Sequence, residues 1–187
     1  MIDKWVFKDS LCIEEHCKIK TKEEKNMNIF EFAKKMELDG KAYYEKLADE
    51  TPITGLKAIF TFLAADELKH YNIIKELQAG SAGDMAESKV LEETKNLFQV
   101  LVKDKDTAKS LKKSLDGYEH ARKVEADSVR FYEDMAKKET NPANVKLIQK
   151  IIKEEQAHYN ILDNLYDFVL APQNYLEWAE FSNIKTL

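Results

Sequence analysis

Apolar and small residues recur along this chain at steps of three and four. Phe30, Ala33, Gly40, Tyr44 and Ala48 form one such stripe, and Tyr118, Ala121, Ser128, Tyr132 and Ala136 a second. Phe60, Leu63, Ile74 and Leu77 mark a third, and Ile148, Ile151, Leu162 and Leu165 a fourth. That period predicts four helices packed through their apolar faces. Caps and breakers set the boundaries. The first helix spans about 28–50, with Asn28 able to cap and Glu31 three residues on. The stretch from Thr51-Pro52 to Gly55 interrupts the chain, and the second helix continues to about Leu77. The third covers about 108–138. Asn141 then caps a fourth that starts at Pro142 and runs to about Leu170. Loops this short make each pair antiparallel.

The two pairs are joined by a longer stretch, 78–107, which opens on Ala79-Gly80-Ser81-Ala82-Gly83 and contains an amphipathic helix around 87–102. A helix of some 23 residues is about 35 Å long, so a connection returning along the bundle needs a segment of this size. The pattern therefore predicts an all-α four-helix bundle over 27–170 with one long crossover between helices two and three. Residues 1–26 read as an N-terminal extension outside it. After Pro172, the segment Tyr175-Leu176-Glu177-Trp178-Ala179-Glu180-Phe181 reads as a short C-terminal helix within a tail, 171–187.

Composition narrows the function. Charged residues make up 34% of the 187, and glycine and proline are few, which suits long helices. A net charge of −5 argues against a nucleic-acid surface. No apolar run approaches the roughly 18 residues of a membrane span, and no signal peptide opens the chain. Cys12 and Cys17 make no disulfide framework, so a reducing cytoplasm is expected. With His16 they supply three ligands at a spacing awkward for zinc.

The stripes contain acids where apolar residues belong. Glu37 is followed by Glu67 and His70, and Glu125, at the same intervals, by Glu155 and His158. Both copies continue identically, as His70-Tyr71-Asn72-Ile73 and His158-Tyr159-Asn160-Ile161. One Glu-x-x-His is what any charged helix face produces. Two copies at one offset, each with an upstream glutamate inside an apolar stripe, specify a site. Glutamate and histidine at i, i+3 share a helix face. Doubling the set around a pseudo-twofold axis gathers four carboxylates and two imidazoles, the set a bundle uses to hold two metal ions. Without cations such carboxylates cost several kcal/mol each or take up protons. Oxygen and imidazole donors without thiolates favour iron or manganese, with zinc as an adventitious occupant. Asp66 and Glu154, at i, i+4 to the histidines, are also at a usable ligand spacing.

The set Glu37, Glu67-x-x-His70, Glu125, Glu155-x-x-His158 resembles that of the ferritin-like di-iron proteins, closest to the rubrerythrin-like group, over about residues 27–170. The resemblance implies terminal ligands at Glu37 and Glu125, bridging ones at Glu67 and Glu155, and one histidine on each metal. It also places Asp66 and Glu154 where some relatives hydrogen-bond a ligand histidine from the neighbouring helix. Two departures stand out. Rubrerythrin-like proteins typically carry a further glutamate three residues after the third-helix ligand. Here that position is Ser128, with Gly40 as its counterpart, an arrangement expected to leave open volume above the metals. The paired Cys-x-x-Cys motifs of a rubredoxin-like module are also missing, which implies a separate electron-donor protein. Tyr44 and Tyr132, seven residues after Glu37 and Glu125, read most simply as core tyrosines with satisfied hydroxyls. The sharper reading has them hydrogen-bonding a carboxylate or carrying a redox equivalent. His120 falls off the ligand face.

The expected activity is that of a non-haem di-iron oxidoreductase, reducing peroxide or dioxygen with electrons from the donor. Competing readings are ferroxidase iron handling, disproportionation of peroxide at manganese, and a non-catalytic metal-binding bundle. Relatives commonly pair their bundles, so the resemblance also implies a homodimer.

Overall fold

The computed structural model describes residues 28–81, 83–88, 90–91, 94–95 and 115–170. Four long helices are present among them: α1 (Ile29–Glu50), α2 (Thr54–Gln78), α3 (Leu115–Lys138) and α4 (Pro142–Leu170). The ends form for local reasons. The Asn28 side chain accepts from the Phe30 N–H at 3.0 Å, satisfying one orphan donor of α1. Asn141 does the same for Ala143 at 2.9 Å, with Pro142 in the first turn of α4. At the end of α2, Gly80 takes φ 68°. Its N–H bonds to the Leu77 carbonyl, and the Ser81 N–H to that of Glu76, a paired closure that needs a left-handed residue at Gly80.

The helix directions follow from their contacts. Tyr44, late on α1, meets Glu125 on α3, whereas Glu37, earlier on α1, meets Tyr132 further along α3. Likewise Asp66 pairs with His158 and His70 with Glu154. Thus α1 runs antiparallel to α3, and α2 to α4. Short turns make α1 antiparallel to α2, so α2 and α3 run the same way. The chain between them must return along the bundle, about 37 Å for a helix the length of α2. Its described part does so. Met85 is buried with Ile74, Leu77 and Ile148 near one end, and Val90 joins Phe60, Leu63 and Leu165 towards the other. This is the all-α ferritin-like bundle with one long crossover.

The crossover helix differs from its expected start near Glu87. Residues 83–88 are not helical, while 90–91 and 94–95 are. Ser88 instead uses its peptide and hydroxyl groups on the bundle. The N-terminal extension, Cys12, His16, Cys17, the first residues expected of the third helix, and the C-terminal helix lie outside the described residues. No described helix is long and apolar enough to cross a membrane.

Among the described residues two apolar clusters fill the interior, one around Leu56, Phe60, Tyr118 and Leu165, the other around Ile74, Tyr132, Ile148 and Ile151. Between them lies a charged layer. Ile148 is fully buried. Ile148→Ala is therefore expected to cost about 2–5 kcal/mol of unfolding free energy by urea denaturation. A loss below about 1 kcal/mol would mean that the layer around it collapses to fill the space.

Candidate metal centre

Each helix contributes one level of the charged layer, because the 3.6-residue period that buries the apolar stripes turns the acids inward with them. Glu37 comes from α1, Glu67 and His70 from α2, Glu125 from α3, and Glu155 and His158 from α4; all are at least 96% buried. Their donor atoms form two overlapping groups, Glu37–Glu67–His70–Glu155 and Glu67–Glu125–Glu155–His158. Within each group the atoms lie within 4.8 Å of one another, and Glu67 and Glu155 belong to both.

The imidazoles have an inner and an outer edge. His70 Nδ1 lies 2.8 Å from Glu155 Oε1 and 3.5 Å from Glu37 Oε2. His158 Nδ1 lies 3.2 Å from Glu67 Oε1 and 3.9 Å from Glu125 Oε1. On the outer edge, His70 Nε2 is 2.9 Å from Glu154, and His158 Nε2 is 3.4 Å from Asp66. With a cation bound, an Nε2–H donated outward would leave the Nδ1 lone pair free to face it. Tyr44 donates its hydroxyl to Glu125, and Tyr132 its own to Glu37, so each tyrosine braces the acid of the other half. His120 is exposed and lies edge-on against Tyr43, outside both groups.

The fit to cations can be tested on the inner atoms. Glu37 Oε2, Glu67 Oε1, Glu155 Oε1 and both Nδ1 atoms are buried without a hydrogen-bond partner among the described residues. The 2.8 Å approach of His70 to Glu155 is close enough for an ion pair but misaligned for a hydrogen bond. Five unpaired buried donor and acceptor atoms aimed at common points are rare unless a ligand completes them. Four carboxylates with two imidazoles suit two divalent cations in charge and in donor type.

Titration behaviour reflects the crowding. Burial pushes Glu67 well above the usual carboxylate range, and neighbouring Glu155 and Glu37 push it further. Glu125 is raised by burial, then by Glu155 and Glu67. Burial also opposes charge on Glu155, but His70 beside it outweighs that and holds the carboxyl low. Burial lowers both histidines, yet Glu154 and Glu155 raise His70 overall, and Asp66 and Glu125 raise His158.

Sequence reasoning missed two residues and misjudged one space. Lys69 bridges Asp66 at 2.9 Å and Glu154 at 2.7 Å. Its counterpart in the repeat is Ala157, so the duplication carried no signal for it. Ser88 touches the same two acids from the crossover, outside the repeat. The volume expected at Gly40 is occupied: a Cβ there would come within 3.3 Å of Glu67 Oε2. Glycine at this position makes room for the carboxylate. Ser128 is buried with its hydroxyl directed to Met36 sulfur at 3.6 Å.

A ferritin-like bundle with a buried carboxylate–histidine layer is the class that fold and site together define. The family model for rubrerythrin matches residues 28–166, and the chain belongs to the rubrerythrin family of ferritin-like proteins. No curated protein and no solved structure matches the chain.

Proposed function

We propose that this protein is a di-iron oxidoreductase that reduces peroxide or dioxygen. The observation that carries the reading is the pair of overlapping donor groups with unpaired buried atoms facing inward. In this reading Glu37, Glu67, His70 and Glu155 would hold one ion and Glu67, Glu125, Glu155 and His158 the other, with Glu67 and Glu155 common to both sets. Two iron ions, when bound, supply the pair of electrons that the oxidant consumes.

The side chains do the rest. Glu154 and Asp66 hold the imidazole Nε2 atoms, fixing ring orientation and tautomer. Tyr44 and Tyr132 hold the terminal carboxylates through their hydroxyls. The apolar clusters on either side keep water from the layer. In the metal-free site burial and neighbouring acids favour the protonated forms of Glu67 and Glu125, and bound cations would take the place of those protons. In this reading the electrons come from a donor protein. The reading also includes a reducing cytoplasm and a homodimer.

The test is elemental analysis of protein purified without added metal, followed by peroxide and dioxygen challenge of the reduced form. About two irons per chain and an oxidant-dependent near-ultraviolet band are expected. Two manganese ions would redirect the chemistry to peroxide disproportionation. No metal, with no uptake on reconstitution, would overturn the reading. His120→Ala serves as the control and should retain both ions.

A further inference from the structure

The crossover reaches the charged layer at Ser88. The Ser88 N–H donates to Glu154 Oε1 at 2.9 Å, and the Ser88 hydroxyl donates to Asp66 Oδ2. The hydroxyl oxygen also accepts from the Val90 N–H at 3.1 Å, which restrains the side chain. These two acids are the ones that receive the histidine Nε2 atoms. With Lys69 on Asp66 Oδ1 and on Glu154 Oε2, all four carboxylate oxygens have partners.

We propose that Ser88 is a positioning residue with two unequal arms. The peptide arm steadies Glu154 and, through it, His70. The hydroxyl arm steadies Asp66 and, through it, His158. The peptide arm does not depend on the side chain at position 88 so long as it is not proline, and the Glu154–His70 contact it supports is short, 2.9 Å. Asp66 has one methylene fewer than Glu154 and reaches His158 only at 3.4 Å; Lys69 holds its Oδ1, and the Ser88 hydroxyl holds Oδ2, the oxygen that faces His158. Loss of that hydroxyl is therefore felt at His158 and not at His70. Ser88 thus adds to the asymmetry that Lys69 and the shorter Asp66 already bring to the repeat.

The functional consequence rests on the metal-binding reading, but the geometry does not, and the experiment separates them. Ser88→Ala and Ser88→Thr are compared with the parent by histidine side-chain nitrogen NMR of metal-stripped protein, and by calorimetric titration with cobalt(II). In Ser88→Ala the His158 imidazole signals should shift and its Nε2–H exchange faster, while those of His70 stay in place. One of two cobalt ions should bind about 10–100-fold more weakly, with the other unchanged. Ser88→Thr, which keeps the hydroxyl, should restore both. Equal shifts at the two histidines, or none at either, would overturn the proposal. If the parent protein takes up no cobalt, the metal reading fails, while the imidazole signals still decide the role of Ser88.

Discussion

Glu155→Gln is expected to lose two-metal binding and to destabilise the metal-stripped protein, whereas Glu67→Gln loses the metals with little effect on stability. The substitutions are matched in size and in position on the pseudo-twofold, so packing does not separate them. What separates them is charge. Both carboxylates belong to both donor groups, and an amide in place of either removes a shared anionic donor. Elemental analysis should then fall well short of two ions per chain in both variants. In stripped protein their environments diverge. Glu155 is held ionised chiefly by His70, 2.8 Å away, against the opposing effect of burial. Removing that anion takes the nearest Nδ1 partner from a buried imidazolium that keeps Glu154 on Nε2, so the loss is expected to stay below the about 3–5 kcal/mol of a fully broken buried pair. Glu67 is pushed towards its neutral form by burial and by Glu155 and Glu37, so glutamine resembles the state it already favours. Urea denaturation at mildly acidic pH measures the difference. Full metal content in either variant would overturn the ligand assignment, and equal stabilities would overturn the electrostatic account.

What could be read from the sequence was what helical periodicity encodes. Stripe, cap and breaker signals are local, so α1, α2 and α4 were expected within a residue or two of where they lie. The six acids and histidines were legible because a helix converts fixed spacing into a shared face, and because the chain states the pattern twice. Asp66 and Glu154 were visible but ambiguous: i, i+4 spacing suits a ligand or a support for one. The three-dimensional pairing puts each acid on the outer nitrogen of the histidine across the bundle, which no spacing along the chain encodes. Ser88 and Lys69 were not legible at all. Ser88 sits in an irregular segment where no period tells which way a side chain points, and Lys69 has no counterpart in the repeat. The space at Gly40 failed for a related reason. A small residue announces room, but which neighbour takes the room is decided by packing.

Stripping the metals is expected to move the protein's stability maximum to about pH 5 and leave it less stable at pH 8. Asp66 and Glu155 are held below their ordinary values of 3.8 and 4.5. For Asp66, burial acts upward but the His158 hydrogen bond outweighs it; for Glu155, burial is outweighed by His70. Their stabilisation is present above those values and lost as pH falls through the folded ones. Glu67 and Glu125 behave oppositely. Burial and neighbouring acids raise them above 4.5, so the folded state holds protons that the unfolded chain gives up. Stability falls as pH rises from 4.5 through their folded values. His70 and His158 are raised above 6.5, chiefly because Glu154 and Asp66 overcome burial. Their stabilisation is complete below 6.5 and lost as pH rises through the folded values. One pair of carboxylates thus sets the acid limb, and the other pair with the histidines sets the alkaline limb. Cations reverse the alkaline limb, since they take the place of the protons on the same atoms and bind more tightly as those protons leave. Chelator-treated and reconstituted protein, unfolded in urea from pH 4 to 8, should therefore diverge as pH rises. Calorimetry in buffers of different ionisation enthalpy should record proton release on metal uptake. Stripped protein that grows steadily more stable between pH 5 and 8 would show that the buried acids carry their charge unaided, and that the site does not need the cations its sequence and geometry call for.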